Sequence, residues 1–414
     1  MNKQFDIGII GAGPAGYTAA LHASSKGLSV VMFEKDKTGG VCLNRGCIPT
    51  KAILHSAQIY EEIKCAEKLG IVVENSHVDF SKVVERKDKT VEKLRKSLEL
   101  MLKNSGIVTL NSEAIIINKN TILANDEEYN CKKIICAAGS LPREIPNIKF
   151  DHKFILNSDD VLNLTDLPES ILIIGSGAIG VEWARIFSAF GVKVFVVEMA
   201  EHLLPVADIE VSKRIERIFK SKKIEFYTSD SVEKIEDKQV YLKSGTLLEP
   251  EYIMLAVGRQ PVTDEKIDGV IYIGDICGKI QLAHFGIKQA VSEIDGVRFD
   301  ENLVPSVVYG NPEIAWIGAR EQDLEQGTFE KVNLLVSALG KSHCDDSVEG
   351  FIKILSREGQ IIGAHIVSKE ASALIQQIAI AIQNKVSIDK LKEVCFAHPT
   401  YSEGIFECLF KLEA

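Results

Sequence analysis

One β-α-β unit occurs twice in this chain, and the duplication restricts the fold more than any other feature. Residues 5–16 read FDIGIIGAGPAG and residues 169–180 read ESILIIGSGAIG. Each copy is a short apolar run, a Gly-x-Gly-x-x-Gly turn and a helical stretch. A second apolar strand follows and ends in an acid, VVMFE at Glu34 and VFVVE at Glu198. Gly11 to Glu34 and Gly175 to Glu198 both span 23 residues. A strand, a helical crossover and a second strand at this spacing form a parallel pair. The expected class is therefore α/β, with two Rossmann-like units.

The residue types give each turn its chemistry. Gly11 makes the tight turn, Gly13 lets the backbone approach a pyrophosphate, and Gly16 lets helix and strand pack closely. The helix start, with Pro14 and Ala15, offers free N–H groups and the positive end of the dipole to phosphates. Glu34 can accept two hydrogen bonds from a ribose diol. In the second copy Gly175, Gly177, Gly180 and Glu198 take the same places, with Ala178 and Ile179 in the turn. Glu198 would repel a 2′-phosphate, and residues 199–204 (MAEHLL) contain no Arg or Lys to bind one, which favours NAD over NADP. Turns that bind nothing are the bland alternative, and the repetition of the whole unit weighs against it. Two dinucleotide sites on one chain point to a flavin and a nicotinamide, with electrons passing between them.

Composition narrows the rest. At roughly 150 residues per domain, 414 residues suggest about three domains. Hydrophobic residues make up 46% and charged residues 26%, which excludes disordered and collagen-like classes. The net charge of −10 disfavours nucleic acid and anionic membranes as partners, because phosphate binding needs clustered Lys and Arg. The apolar run from Ile7 to Ala23 follows Lys3 like a signal peptide, but Gly11, Gly13, Pro14 and Gly16 interrupt it. The expectation is a cytoplasmic chain that starts at its first strand and has no membrane span.

Between the two units, residues 81–104 carry charges with apolar residues at helical spacing and read as a helix with a solvated face. ICAAGS at 135–140 reads as a strand meeting a glycine turn, and LTDLPES at 164–170 as a linker. From about Val304 the pattern changes. SVVYG, VNLLVSALG, FIKILS and QIIGAHIV read as strands, and two helices follow, over Ala371–Asn384 and Ile388–Val394. This third region is α+β.

The nine cysteines are an odd number, and seven are scattered singly, so no disulfide scaffold is present. Cys42 and Cys47 stand apart in GGVCLNRGCIPTK. On a straight helix their α-carbons would be about 8–9 Å apart, whereas a disulfide wants roughly 4.4–6.8 Å. Gly46 and Pro49 supply irregular backbone that would allow a bridge at a distorted helix start. Three readings stay open at this point: a redox dithiol, two packing cysteines, or part of a metal site. A metal site wants further ligands, and none stands at suitable spacing. Lys51 follows Cys47 by four residues, on the same helical face. Near the end, HPTYSE places His398 and Glu403 five apart. A dithiol site needs a base near neutral pH, and a carboxylate on one ring nitrogen makes the other a better base.

Together these residues resemble the dihydrolipoamide dehydrogenase family of flavin- and NAD-linked disulfide oxidoreductases. The likeness covers nearly the whole chain through GAGPAG, GGVCLNRGCIPTK, AAGS, GSGAIGVEWA, AVGRQP, YIGDICG, LAH, NPEIAWIG and HPTYSE, in that order. It implies a first part of an FAD-binding domain at 1–150 and an NAD-binding domain at 151–270. It further implies a return to the FAD-binding region at 271–303 and an α+β dimerisation domain at 304–414. Cys42 then corresponds to the thiol that meets substrate and Cys47 to the thiol that contacts the flavin. Lys51 lies near the flavin ring and pairs with Glu182. Asp275 binds the ribityl chain, the backbone of Leu282, Ala283 and His284 meets the isoalloxazine, and Gly40, Ala114 and Gly139 add FAD contacts. Gly258 and Val232 join the NAD site. His398 and Glu403 serve the site of the other subunit of a homodimer.

The implied activity is reoxidation of dihydrolipoyl groups through Cys42–Cys47 and FAD, with hydride passed to NAD. The implied partners are lipoyl domains of 2-oxo acid dehydrogenase or glycine-cleavage complexes. A glutathione- or mercuric-reductase-like enzyme is the alternative. Mercuric reductases use a C-terminal cysteine pair, and here only Cys408 is near the end. Three departures stand out: only twelve residues between Pro261 and Gly274 where relatives carry more, Gly310 where Thr is usual, and Ala373 where an acid is common.

Overall fold

A computed structural model describes residues 3–263 and 265–412. The first sheet runs, in spatial order, through Val108–Asn111, Val30–Glu34, Lys3–Ile10 and Glu127–Cys136, all parallel. Thr121–Ala124 and Ile115–Asn118 extend it in antiparallel fashion. Its central strands are apolar on both faces because both faces are covered. Val30 and Met32 pack with Ala15, Ala19 and Ala23 of the helix Pro14–Ser25, while Val31 and Phe33 face a separate cluster with Ile122, Tyr129 and Ile134.

The second sheet repeats the plan: Glu225–Tyr227, Lys193–Val197, Ser170–Ile174, Tyr252–Leu255 and Ile155–Leu156, all parallel. Ile171, Ile173, Val194 and Val196 meet the helix Ala178–Phe190, and Leu172, Ile174, Phe195 and Val197 meet an antiparallel ribbon of Val232–Glu236, Gln239–Leu242 and Leu247–Leu248.

After Pro261 the chain crosses back, and Ile271–Tyr272 adds to the first sheet beside Ile135 and Cys136. Arg259–Pro261 pairs with Ser140–Pro142 on the way. The short stretch after Pro261 is thus sufficient to return the chain to its first sheet; Asp264 within it lies outside the described residues.

The third sheet is antiparallel, in the order Ser306–Val308, Glu313–Gly318, Gln360–Ser368, Phe351–Arg357, Glu330–Leu335. The sequence reading had four of these strands and missed Glu313–Gly318, because Pro312 and Glu313 disguise its start. Helices Ala371–Gln383 and Glu403–Phe410 cover one face through Leu374, Ile378, Ile405 and Leu409. From the other face Ile314, Phe351 and Val367 join the core of Trp183, Phe187 and Phe219, to which Ile53 and Leu54 also belong. One apolar cluster therefore ties the second and third sheets to the helix Cys47–Cys65.

A buried ionic cluster fixes the same junction. Lys353, on the third sheet, lies with its ammonium 2.9 and 3.1 Å from the Asp208 carboxylate oxygens, 3.0 Å from Glu210 Oε2 and 2.5 Å from Glu321 Oε2. Asp208 caps the helix Ile209–Ser221 of the second domain. The charged helix Phe80–Asn104 is less solvated than its sequence suggests. Phe80, Lys87, Val91 and Leu102 are buried, and Lys87 Nζ donates to Leu162 O at 3.0 Å.

Candidate functional site

The duplication extends to individual hydrogen bonds. Gly11 N–H donates to Phe33 O and Gly175 N–H to Val197 O, both at 2.8 Å. Ala12 N–H and Ser176 N–H donate to Oε2 of Glu34 and Glu198, both at 2.8 Å. The other carboxylate oxygen accepts from Asp36 N–H and Ala200 N–H, both at 2.9 Å. Each acid is thereby oriented at the tip of its second strand, beside its turn. Gly11 and Gly175 have φ of +94° and +99°, and a Cβ there would lie 2.4 and 2.6 Å from the carbonyl oxygens of Ala137 and Ala256. A Cβ at Gly16 or Gly180 would strike the carbonyl of the first glycine, at 1.8 and 2.1 Å. Only glycine fits those places.

The helices that open at Pro14 and Ala178 have no side-chain cap, unlike those capped by Asp79, Asn157 and Asp208. Their first-turn N–H groups are free to meet phosphate oxygens. A Cβ at Gly177 would meet nothing within 4 Å, so the backbone there is open to a ligand. The residues present therefore fit two dinucleotides.

The cysteines sit where a helix is broken. Cys42 is in Gly40–Arg45, and Cys47 begins Cys47–Cys65. Gly46, at φ −139° and ψ −112°, separates the two helices, so the straight-helix distance does not apply. The two thiols lie close enough to perturb each other's ionisation, with Cys47 exposed and Cys42 half-buried. Its neighbour Cys42, aided by the Lys51 charge, lowers the Cys47 thiol from 9.0 to about 7. That same proximity, with burial, pushes the Cys42 thiol up. Cys47 is thus the more readily ionised of the two thiols.

Behind them, Lys51 Nζ donates to Glu182 Oε2 at 2.6 Å. The Glu182 carboxylate is 4% exposed, and its Oε1 accepts from Tyr309 N–H at 3.0 Å. The Tyr309 ring lies 4.7 Å from Lys51 Nζ. The three residues come from the three domains.

His398 Nδ1 and Glu403 Oε1 are 2.7 Å apart, and Thr400 N–H donates to Glu403 Oε2 at 2.8 Å. The imidazole is 77% exposed, and its hydrogen-bonded partner is Glu403 rather than either cysteine. The bond from His398 holds the Glu403 carboxyl below its usual range. Asp275 Oδ2 accepts from Ser140 Oγ at 2.7 Å, and Arg259 donates through Nε to Ser140 Oγ and through Nη2 to Ser140 O, both at 2.8 Å. Leu282 precedes the helix Ala283–Asp295, and His284 Nε2 is 2.7 Å from Pro305 O.

Gly40 lies against Gly13, whose Cα would be 2.6 Å from a Cβ at Gly40. Gly139 and Gly258 have φ of +80° and +96° with open space where a Cβ would point. Ala114 packs on the cluster of Val31 and Phe33, and Val232 on that of Phe195 and Val197.

Sequence reasoning missed Ser140, Arg259, Tyr309 and Arg185. Ser140, Arg259 and Tyr309 stand inside or beside quoted motifs, which was the available signal. Arg185 directly follows one, but a charge on a helix reads as solvated. Among the described residues, no helix is long and apolar enough to cross a membrane.

The profile described as "Pyridine nucleotide-disulphide oxidoreductase" matches residues 5–271, and the dimerisation domain of the same family matches residues 304–408. Dihydrolipoyl dehydrogenase of Chlamydia pneumoniae is 33% identical over 442 aligned residues, covering 97% of this chain and 96% of that protein. A dihydrolipoyl dehydrogenase of Bacillus subtilis is 32% identical, covering 98% of each. Both alignments run longer than the 414-residue chain, so these relatives carry segments it lacks. Among solved structures, LpdA from Mycobacterium tuberculosis shares the fold, with a TM-score of 0.91 at 23% identity and full coverage of both chains. The HOCl-induced flavoprotein disulfide reductase RclA from Escherichia coli, in its Cu(II) complex, gives 0.87 at 25% identity, also with full coverage.

Proposed function

The chain belongs to the pyridine nucleotide-disulphide oxidoreductase family, and from that premise we propose that it is a dihydrolipoyl dehydrogenase that works as a cytoplasmic homodimer on lipoyl domains. The observation that carries this reading is the Cys42–Cys47 pair set at the helix break of Gly46, backed by the buried Lys51–Glu182 pair behind it. The first turn, with Glu34, Gly40, Ala114, Gly139, Asp275 and the helix start at Leu282–His284, would hold FAD. The second, with Glu198, Val232 and Gly258, would hold NAD. When bound, FAD supplies the electron acceptor for the dithiol and NAD the final hydride acceptor.

The chain's own groups handle the sulfur chemistry. With the cysteines oxidised, a base takes a proton from one dihydrolipoyl thiol. His398 of the partner subunit, oriented by Glu403, suits that task. The thiolate attacks Cys42 Sγ, the Cys42–Cys47 bond breaks, and Cys47 leaves as a thiolate. Its lowered pKa makes it the better leaving group. The second lipoyl thiolate then attacks the mixed disulfide, which closes the lipoyl ring and frees Cys42. Lys51 stabilises the charge left on Cys47.

Lipoyl domains of 2-oxo acid dehydrogenase or glycine-cleavage complexes would deliver the substrate. The test is anaerobic NAD reduction by dihydrolipoamide, run beside glutathione disulfide reduction by NADPH. Turnover with the first pair alone is expected. Turnover with the second alone would move the chain to a glutathione-reductase-like role.

A further inference from the structure

The helix that carries Glu182 carries a second charge one turn on, and it points inward. Arg185 is 3% exposed. Its Nη2 donates to Pro312 O at 2.7 Å, while its buried Nη1 has no hydrogen-bond partner among the described residues. The guanidinium occupies the place of a missing side chain. A Cβ at Gly310 would lie 2.1 Å from Arg185 Cζ and 2.2 Å from Nη1, and Gly310 has φ +158°. Burying a guanidinium with incomplete pairing is costly. The loop it touches does explain its place. Residues 309–312 belong to the third domain. Tyr309 N–H bonds Glu182 Oε1, the Tyr309 ring lies against Lys51, and Gly310 O accepts from Gln58 Nε2 at 3.0 Å.

We propose that Arg185 is a positioning residue of the redox site: wedged against Gly310, it fixes the 309–312 loop so that Tyr309 and Glu182 hold Lys51 toward Cys47. The inference rests on the reading of Cys42–Cys47 as the redox dithiol. Two effects act together. The loop contact fixes the donor on Glu182 Oε1. The buried cation also offsets the Glu182 carboxylate, whose charge opposes ionisation of Cys47. Arg185 itself stays charged at neutral pH: burial lowers it to about 10, and Glu61, Glu182 and Glu313 oppose that fall.

The readout is the pH profile of Cys47 alkylation by iodoacetamide in the reduced, flavin-loaded protein. Trypsin separates the two thiols, because Cys42 lies in residues 38–45 and Cys47 in residues 46–51. Arg185→Met keeps length and removes charge, and it is expected to move the Cys47 midpoint up by about 0.5–1 pH unit. Arg185→Lys should recover most of that shift. Gly310→Ala leaves the charge but displaces the guanidinium, and it should move the midpoint the same way by less.

A profile for Arg185→Met that overlays the parent, with only the melting temperature lowered, would show a structural role and overturn the inference. If Arg185→Met does not fold, Gly310→Ala decides by the same profile. Failure of the underlying reading looks different: Cys47 of the unaltered protein would then be no more reactive at neutral pH than exposed Cys65.

Discussion

Removing the Lys51 ammonium tests the core of the site most directly. Glu182 is 4% and Lys51 30% exposed, so Lys51→Met strands a buried carboxylate that keeps only the Tyr309 N–H and the nearby Arg185. Breaking a buried pair costs about 3–5 kcal/mol. The partial exposure of Lys51 and the remaining cation reduce that to about 2 kcal/mol. Glu182→Gln should cost less than about 1 kcal/mol, because Lys51 can turn to water. The double variant removes both partners while Arg185 keeps Glu61 and Glu313, so it should lie within about 1 kcal/mol of the parent, giving a coupling of about 1–2 kcal/mol.

The thiol separates the two partners by sign. Cys47 is lowered to about 7, first by Cys42 and then by Lys51, while burial and Glu182 act against it. Lys51→Met should therefore raise the Cys47 midpoint by about one unit, and Glu182→Gln should lower it slightly. Denaturant unfolding followed by the fluorescence of buried Trp183 gives the first set of values, and alkylation of the tryptic peptide carrying Cys47, residues 46–51 or, where Lys51 is replaced, 46–64, gives the second. Additive stabilities, or midpoints that move the same way in both single variants, would refute the pairing argument.

Cys42→Ser should retain FAD yet lose dihydrolipoamide-dependent NAD reduction, and stopped-flow would show unchanged flavin reduction by NADH. His398→Gln should slow the thiol half-reaction by about 10²–10⁴-fold and spare the NADH half-reaction; equal loss in both would make the histidine structural. Gly180→Ala puts a Cβ 2.1 Å from Gly175 O, so titration calorimetry should show NAD binding weakened more than tenfold with FAD content unchanged.

Lys353→Met leaves buried Asp208 without its ammonium partner and should cost about 3–5 kcal/mol. Burial opposes ionisation of Asp208, but His365, Lys353 and the Glu321 N–H hold its pKa below 3.8. Lys353 is held above 10.5 by its three carboxylates against its own burial. The pair's contribution is therefore complete between those values, lost below them as Asp208 protonates and lost above them as Lys353 deprotonates. Melting temperatures across pH should show the variant closing on the parent at both extremes, and a constant gap would contradict the assignment.

The fold and the geometry of the two glycine turns were legible because local chemistry dictates them. A Gly-x-Gly-x-x-Gly turn with an acid 23 residues on is a statement about nearby backbone, and the structure repeats it to within 0.1 Å in the paired hydrogen bonds. The Cys42–Cys47 spacing named the residues but not their geometry, since the break at Gly46 depends on ψ as well as composition. Contacts across domains were not legible. Tyr309 reaches Glu182 from 127 residues away, and no periodicity encodes that approach. Gly310 stood out in sequence as a departure from the usual threonine, but its reason, the Arg185 guanidinium, lies on another domain.

The position of Glu182 explains why this site needs three domains. Its helix belongs to the second dinucleotide unit, Lys51 comes from the helix that begins at Cys47, and Tyr309 comes from the first strand-and-turn of the third domain. A carboxylate buried at such a junction is tolerable only when every partner is in place. The redox cysteine therefore meets a correctly placed cation only when the first and second domains are closed and the third is docked. The apolar cluster of Ile53, Trp183, Phe187, Ile314 and Phe351 drives that docking without fixing its register, because apolar contact is non-directional. Directional contacts at either end set the register: the Lys353 cluster on one side and the Lys51–Glu182–Tyr309 set on the other. Loosening the Lys353 end should then reach the redox site through the shared register. Lys353→Met is accordingly expected to broaden the Cys47 alkylation profile as well as lower stability. A destabilised variant whose Cys47 profile stays as sharp as the parent's would show that the two ends act independently.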